Sequence, residues 1–140
     1  MMRWPGLIVV FLLAFSADAG ERLMMQVFTS ASDPPSGLSA VRGEAQVQVY
    51  EVDAVARIES ALSAGLPTDP EHAKISALER LQALDESTLE RLKHGAFALA
   101  LARQHGIDRY PAVVINGETI LYGITDLRQA LAFYREQAEQ

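Results

Sequence analysis

Leu23-Met-Met-Gln-Val-Phe-Thr29 is an apolar, β-prone run, and the turn-forming stretch Ala31-Ser-Asp-Pro-Pro-Ser-Gly37 ends it. Gln46 to Asp53 alternates Gln and Val before reaching Tyr50, the period of a half-buried strand. Val55, Ile58 and Leu62 then recur at helical spacing until Gly65-Leu-Pro67 breaks the pattern. Asp69 followed by Pro70 predicts a second helix start, with Ile75, Leu78 and Leu81 along one face. Ser87 and Glu90 have the spacing of a capping box. They open a third helix, in which Leu89, Leu92, Ala96 and Leu99 are expected to face the core until Gly106 ends it.

The chain then returns to strand. Ala112 to Ile115 and Glu118 to Tyr122 flank Asn116-Gly117, a two-residue type I′ hairpin signal. Thr125 or Asp126 caps a last helix whose inner face carries Leu127, Ala130, Leu131 and Tyr134. The predicted order is strand, turn, strand, three helices, hairpin, helix, an α/β arrangement with no repeat or interdomain linker.

Composition changes the picture in three places. Residues 1–19 combine Arg3, the apolar run Leu7 to Phe15 and the small-x-small site Ala17-Asp18-Ala19, which reads as a secretory signal peptide cleaved before Gly20. The apolar run is short against the roughly 20 residues of a spanning helix, so a retained membrane anchor is the weaker alternative. Residues 20–140 have the size of one domain, and a periplasmic location without stable membrane insertion follows from the signal. The absence of cysteine excludes disulfides, thiol catalysis and Cys-based metal sites together. A net charge of −6, unchanged by losing Arg3 and Asp18 together, argues against direct nucleic-acid binding.

Two strands, a helical crossover, an X-Pro step before an antiparallel hairpin and a terminal helix resemble the thioredoxin fold. The expected fold is thioredoxin-like, a four-stranded mixed sheet with an enlarged helical crossover. In that family a Cys-x-Pro-Cys dithiol follows the first strand. The matching place here is Asp33-Pro34-Pro35-Ser36, with Pro35 at the motif proline and Asp33 and Ser36 where the two sulfurs would be. The plainer reading of Asp33-Pro34 is an N-cap with proline at the first helical position. Gly37 and Ser39 favour a mostly looped segment from Ala31 to Glu44. The resemblance implies a cis peptide before Pro111, with the backbone beside it open to an extended peptide. The plainer reading is that Pro111 only keeps Tyr110 extended. Without a thiol, such a loop can shape the fold or hold a peptide by strand addition.

A second resemblance covers nearly the whole chain. Val47 to Pro67 (VQVYEVDAVARIESALSAGLP), Ala100 to Glu118 (ALARQHGIDRYPAVVINGE) and Tyr122 to Arg135 (YGITDLRQALAFYR) resemble small exported proteins encoded within bacterial integrating conjugative elements. That resemblance implies a role in conjugative transfer beside an envelope-spanning (type IV) secretion machine, with other proteins of the conjugation apparatus as partners. It transfers no catalytic residues.

The remaining candidate chemistry has plain explanations. His72, His94 and His105 lack metal-site spacing and read as surface or helix-end histidines. Met24-Met25 reads as core filler. Ser36 has no nucleophile elbow around it. No catalytic residue, metal or cofactor is therefore expected. The favoured reading is a non-enzymatic interaction module using Asp33, Pro34, Pro35, Ser36, Tyr110 and Pro111. The alternative is a periplasmic enzyme or peptide-binding chaperone built on the same groove. The sequence leaves partner identity and oligomeric state open.

Overall fold

The computed structural model describes residues 20–140, so the predicted signal segment lies outside the described residues. Four strands form one sheet in the order β2-β1-β3-β4: β1 (Leu23–Thr29), β2 (Ala45–Glu51), β3 (Ala112–Ile115) and β4 (Thr119–Tyr122). β1 runs parallel to β2 and antiparallel to β3, and β3 and β4 form an antiparallel hairpin. A short helix, α1 (Leu38–Val41), joins β1 to β2. The crossover from β2 to β3 holds α2 (Ala54–Ser63), α3 (Pro70–Gln82) and α4 (Glu86–Gln104), and α5 (Leu127–Ala138) closes the chain. This strand order, with its parallel crossover and antiparallel hairpin, is a thioredoxin-like α/β architecture with an enlarged crossover.

Side chains alternate across β1, so the strand feeds two separate cores. Met25 and Val27 pack with Val113 and Ile115 under Val41 of α1 and Leu127, Ala130 and Leu131 of α5. On the opposite face Phe28 packs with Ala112 and Val114 under Ala98 and Ala102 of α4 and Ile107. The Phe28 ring stacks on Tyr50 with centroids 5.1 Å apart, and the edge of His105 lies 6.0 Å away.

The hairpin turn is as expected, with Asn116 and Gly117 at φ 52° and 70°. The register pairs Ile115 with Thr119, so Glu118 belongs to the turn and not to the second strand. Asn116 also clasps β1, its Oδ1 accepting from the Met24 N–H at 2.9 Å.

Two helices differ from their sequence patterns. In α4 the buried positions are Gly95, Ala98 and Ala102, whereas Leu89, Ala96 and Leu99 are exposed and Leu92 is half-buried. The reason is closeness. A Cβ on Gly95 would stand 2.9 Å from the Ala54 Cβ, so only the small-residue seam of α4 can lie against α2 and the sheet. In α3 no residue is buried; Ile75, Leu78 and Leu81 share a face, but that face is open because the helix packs chiefly on α2.

Capping shows where local chemistry prevails. α4 starts two residues earlier than the Ser87 to Glu90 pattern indicates, because Asp85 accepts the Thr88 N–H at 2.7 Å and the Ser87 hydroxyl itself donates to Asp85. Asp69 caps α3 through the His72 N–H at 3.1 Å, and Asp126 caps α5 through the Arg128 N–H at 3.0 Å. Hydrogen bonding holds all three carboxyls below the usual aspartate value of 3.8. The cause is His72 for Asp69, Thr88 for Asp85 and the Arg128 side chain for Asp126. A lowered folded pKa means that each cap is fully stabilising above 3.8 and is lost as the pH falls through the lower folded value. Thermal melts should therefore be flat down to about pH 4 and fall below it, and Asp85→Asn should flatten part of that fall. An acid limb unchanged in Asp85→Asn would contradict this assignment.

Candidate functional site

The loop after β1 is tied down at both ends. Thr29, buried at the strand terminus, donates its hydroxyl to the Asp33 carbonyl at 2.6 Å, and the Asp33 N–H donates to the Ser30 carbonyl at 3.1 Å. Asp53, at the start of α2, accepts the Ala31 N–H at 3.2 Å and pairs with Arg57 at 3.0 Å. At the far end Ser36 forms a parallel bridge to Asp126: its N–H donates to the Thr125 carbonyl at 2.9 Å and its carbonyl accepts from the Leu127 N–H at 3.0 Å. Gly37 follows at φ 76°, and a Cβ there would stand 3.0 Å from the Asp126 carboxylate, so glycine is required on both counts.

Asp33 does not cap a helix. α1 begins at Leu38 with Gly37 at its N-cap, so the segment from Ala31 onward is mostly loop, as Gly37 and Ser39 suggest. Ser36 is held in a strand-like bridge beside Asp126, so the chain is extended where a helix begun at Asp33 would make its first turn. Asp33, Pro34 and Ser36 are exposed and Pro35 is half-buried.

The Tyr110-Pro111 peptide is cis. Continuing the register of Phe28 opposite Ala112 sets Pro111 opposite Thr29, at the end of the sheet from which the Ser30 to Gly37 loop departs. The Pro111 carbonyl accepts the Gly123 N–H at 2.9 Å, and the segment after Gly123 is the one that holds Ser36. All six candidate residues thus lie at one end of the sheet, although no hydrogen bond joins the two loops directly among the described residues.

Tyr110 is 42% exposed and borders an open depression of about 740 Å³ lined by Leu99, Ala100, Arg103, Gly106 and Ile107. One wall of this hollow is α4, Asp33 is not among its lining residues, and Leu99 faces it because the Gly95 seam turns the opposite side of α4 inward. The Arg109 guanidinium, next to Tyr110 in sequence, lies over the Tyr122 ring at 4.6 Å. The pattern of exposed Leu99, Tyr110 and arginines was invisible in the sequence because it depends on which side of α4 is buried.

No base is hydrogen-bonded to the Ser36 hydroxyl among the described residues. His105 instead meets Gln26 at 3.1 Å, and His72 meets Asp69 at 2.6 Å. His94 lies beside Tyr50 and Arg91. The described residues hold no group of three or more His, Asp or Glu placed to bind a metal, and no described helix is long and apolar enough to cross a membrane.

A thioredoxin-like four-stranded sheet in a chain without cysteine defines a cysteine-free member of that architecture. Residues 18–140 match the family described as "Protein of unknown function (DUF1525)", and the chain belongs to that family. No curated protein matches the sequence. Among solved structures, the catalytic domain of Proteus mirabilis ScsC is similar at 18% identity over 84% of each chain, with a TM-score of 0.38. That likeness is distant, and the fold assignment rests on the strand order and register described above.

Proposed function

We propose that this chain is an exported, redox-inactive thioredoxin-like module that acts by binding a partner protein in the bacterial envelope. The observation that carries the reading is the sheet end itself. A loop pinned by Thr29, Asp53 and Asp126 replaces the dithiol, beside an exposed Tyr110 and its cis-proline. Such a surface is pre-organised, so a bound segment does not have to order it. An extended peptide laid across Pro111 would find Tyr110 as an aromatic anchor and Arg103 and Arg109 as polar rim, the mixture that recognition surfaces favour.

The placement of this module in conjugative transfer rests on the resemblance of Val47 to Pro67, Ala100 to Glu118 and Tyr122 to Arg135 to exported proteins of integrating conjugative elements. Export rests on Arg3, the Leu7 to Phe15 run and Ala17-Asp18-Ala19. A mating assay tests both together. Deleting the chain should lower element transfer, wild type should restore it, and Tyr110→Lys should restore about tenfold less while accumulating normally in the periplasm. Full transfer without the chain would overturn the reading.

A further inference from the structure

We propose that β2 is a self-pairing edge and that two copies of this chain join there, antiparallel about Gln48, to make one continuous eight-stranded sheet. β2 ends the sheet order, and its seven residues run without proline, lysine or bulge in unbroken register with β1. Natural sheets usually blunt an edge with one of those devices.

The backbone sets the register. The Glu44 carbonyl accepts from Leu23 at 3.2 Å and the Val52 N–H donates to Thr29 at 3.0 Å, which turns the even-numbered positions of β2 toward β1. The amide groups of Ala45, Val47, Val49 and Glu51 therefore point outward. A two-fold axis at Gln48 sets Val47 opposite Val49 of the second copy and Glu51 opposite its Ala45, so every outward group finds a partner. Other registers about this strand leave one end unpaired.

Side chains agree with that register. Because α1 has only four residues, it leaves Val49 44% and Leu38 38% exposed on the face that α5 covers farther in. Pairing places each Val49 against Val47 of the second copy and brings it toward the apolar strip that includes Leu38. Charge is self-complementary too. Arg22 and Arg42 line the hollow beside Ala45 and Gln46, and neither makes an ion pair among the described residues. Glu44, two residues from Arg42 in sequence, is occupied by Arg135. The two-fold brings Glu51 of the second copy, which already pairs with Arg57 of its own chain at 2.6 Å, to this basic end, and the reverse at the other end, so that the carboxylate is shared between the two chains. A foreign strand would need to reproduce this alternation; a second copy carries it by symmetry.

The test uses the absence of native cysteine. Residues facing across the axis in a non-hydrogen-bonded pair have Cα atoms about 4.5 Å apart, within disulfide reach. Gln48→Cys should oxidise to a covalent dimer, whereas Glu51→Cys, displaced along the strand from its own symmetry mate, should not. Sedimentation of the unmodified protein should show a reversible dimer, weakened about 100-fold by Val49→Lys, which brings like charge to the paired face beside Arg42 of the other copy. Cross-linking of Glu51→Cys as fast as Gln48→Cys, or an unmodified protein that stays monomeric at millimolar concentration, would overturn the proposal. So would a monomer that binds an added foreign peptide along β2. The proposal stands on the edge strand alone, so loss of partner binding in a Tyr110 variant leaves it unaffected.

Discussion

Phe28→Ala should cost about 3–5 kcal/mol, the usual range for emptying a large aromatic from a core. Phe28 is fully buried, stacks on Tyr50, meets His105 edge-on and joins the central strand to α4 through Ala98 and Ala102. Little nearby can collapse into the void. The flanking helix positions are alanines held close by the Gly95 seam, and Ala112 and Val114 are fixed in β3. Against a typical total of about 5–15 kcal/mol, the loss should lower the melting temperature by roughly 10–20 °C. Tyr110→Ala, at an exposed position, should melt like wild type. A Phe28→Ala protein that melts within a degree or two of wild type would show that the α4 face of the sheet is not packed as described.

Gly95→Ala should destabilise the protein, reversing the usual sign for a helix interior. On an open helix the change would be favourable by about 1 kcal/mol. Here the new methyl would stand 2.9 Å from the Ala54 Cβ and 3.2 Å from the Val55 Cγ2, neither of which is the end of a flexible chain. The expected cost is about 1–3 kcal/mol, larger for Gly95→Val, and Ala54→Gly should recover part of it. Gly43 is the matched control, since nothing lies within 4 Å of a Cβ there. Gly43→Ala should be neutral or mildly stabilising in chemical denaturation. Equal midpoints for the Gly95 and Gly43 variants would contradict the close approach of α2 and α4.

The strands and the outer helices were legible because their patterns have one solution. Leu23 to Thr29 is apolar throughout and becomes the central strand, Asn116-Gly117 permits the positive φ values its turn needs, and Leu127, Ala130, Leu131 and Tyr134 define a single inner face on α5. α4 was misread because it is apolar on more than one side, and the larger leucines looked like the core. Proximity decided otherwise, since α2 comes too near for anything but Gly95, Ala98 and Ala102. α3 shows the converse, a correct stripe that stays half exposed because chiefly α2 lies beside it among the described residues.

The candidate residues Asp33, Pro34, Pro35, Ser36, Tyr110 and Pro111, chosen from the sequence, do reach one end of the sheet. The residues that hold them there were not found. Thr29 and Asp53 read as strand ends and Asp126 as a cap. Thr29 and Asp126 do those local tasks, whereas Asp53 stands past β2 at the start of α2, and all three fix the loop through a contact that only the folded chain creates. Long-range pairing of this kind leaves no periodic trace in a sequence.

The most direct test of partner binding at this sheet end is site-specific photo-cross-linking in mating donor cells, with a benzophenone amino acid replacing Tyr110 in one strain and Glu79 of α3 in another. The account predicts a discrete adduct with a protein of the conjugation apparatus from position 110 and none of that mass from position 79. No adduct at 110, or the same adducts from both positions, would contradict it.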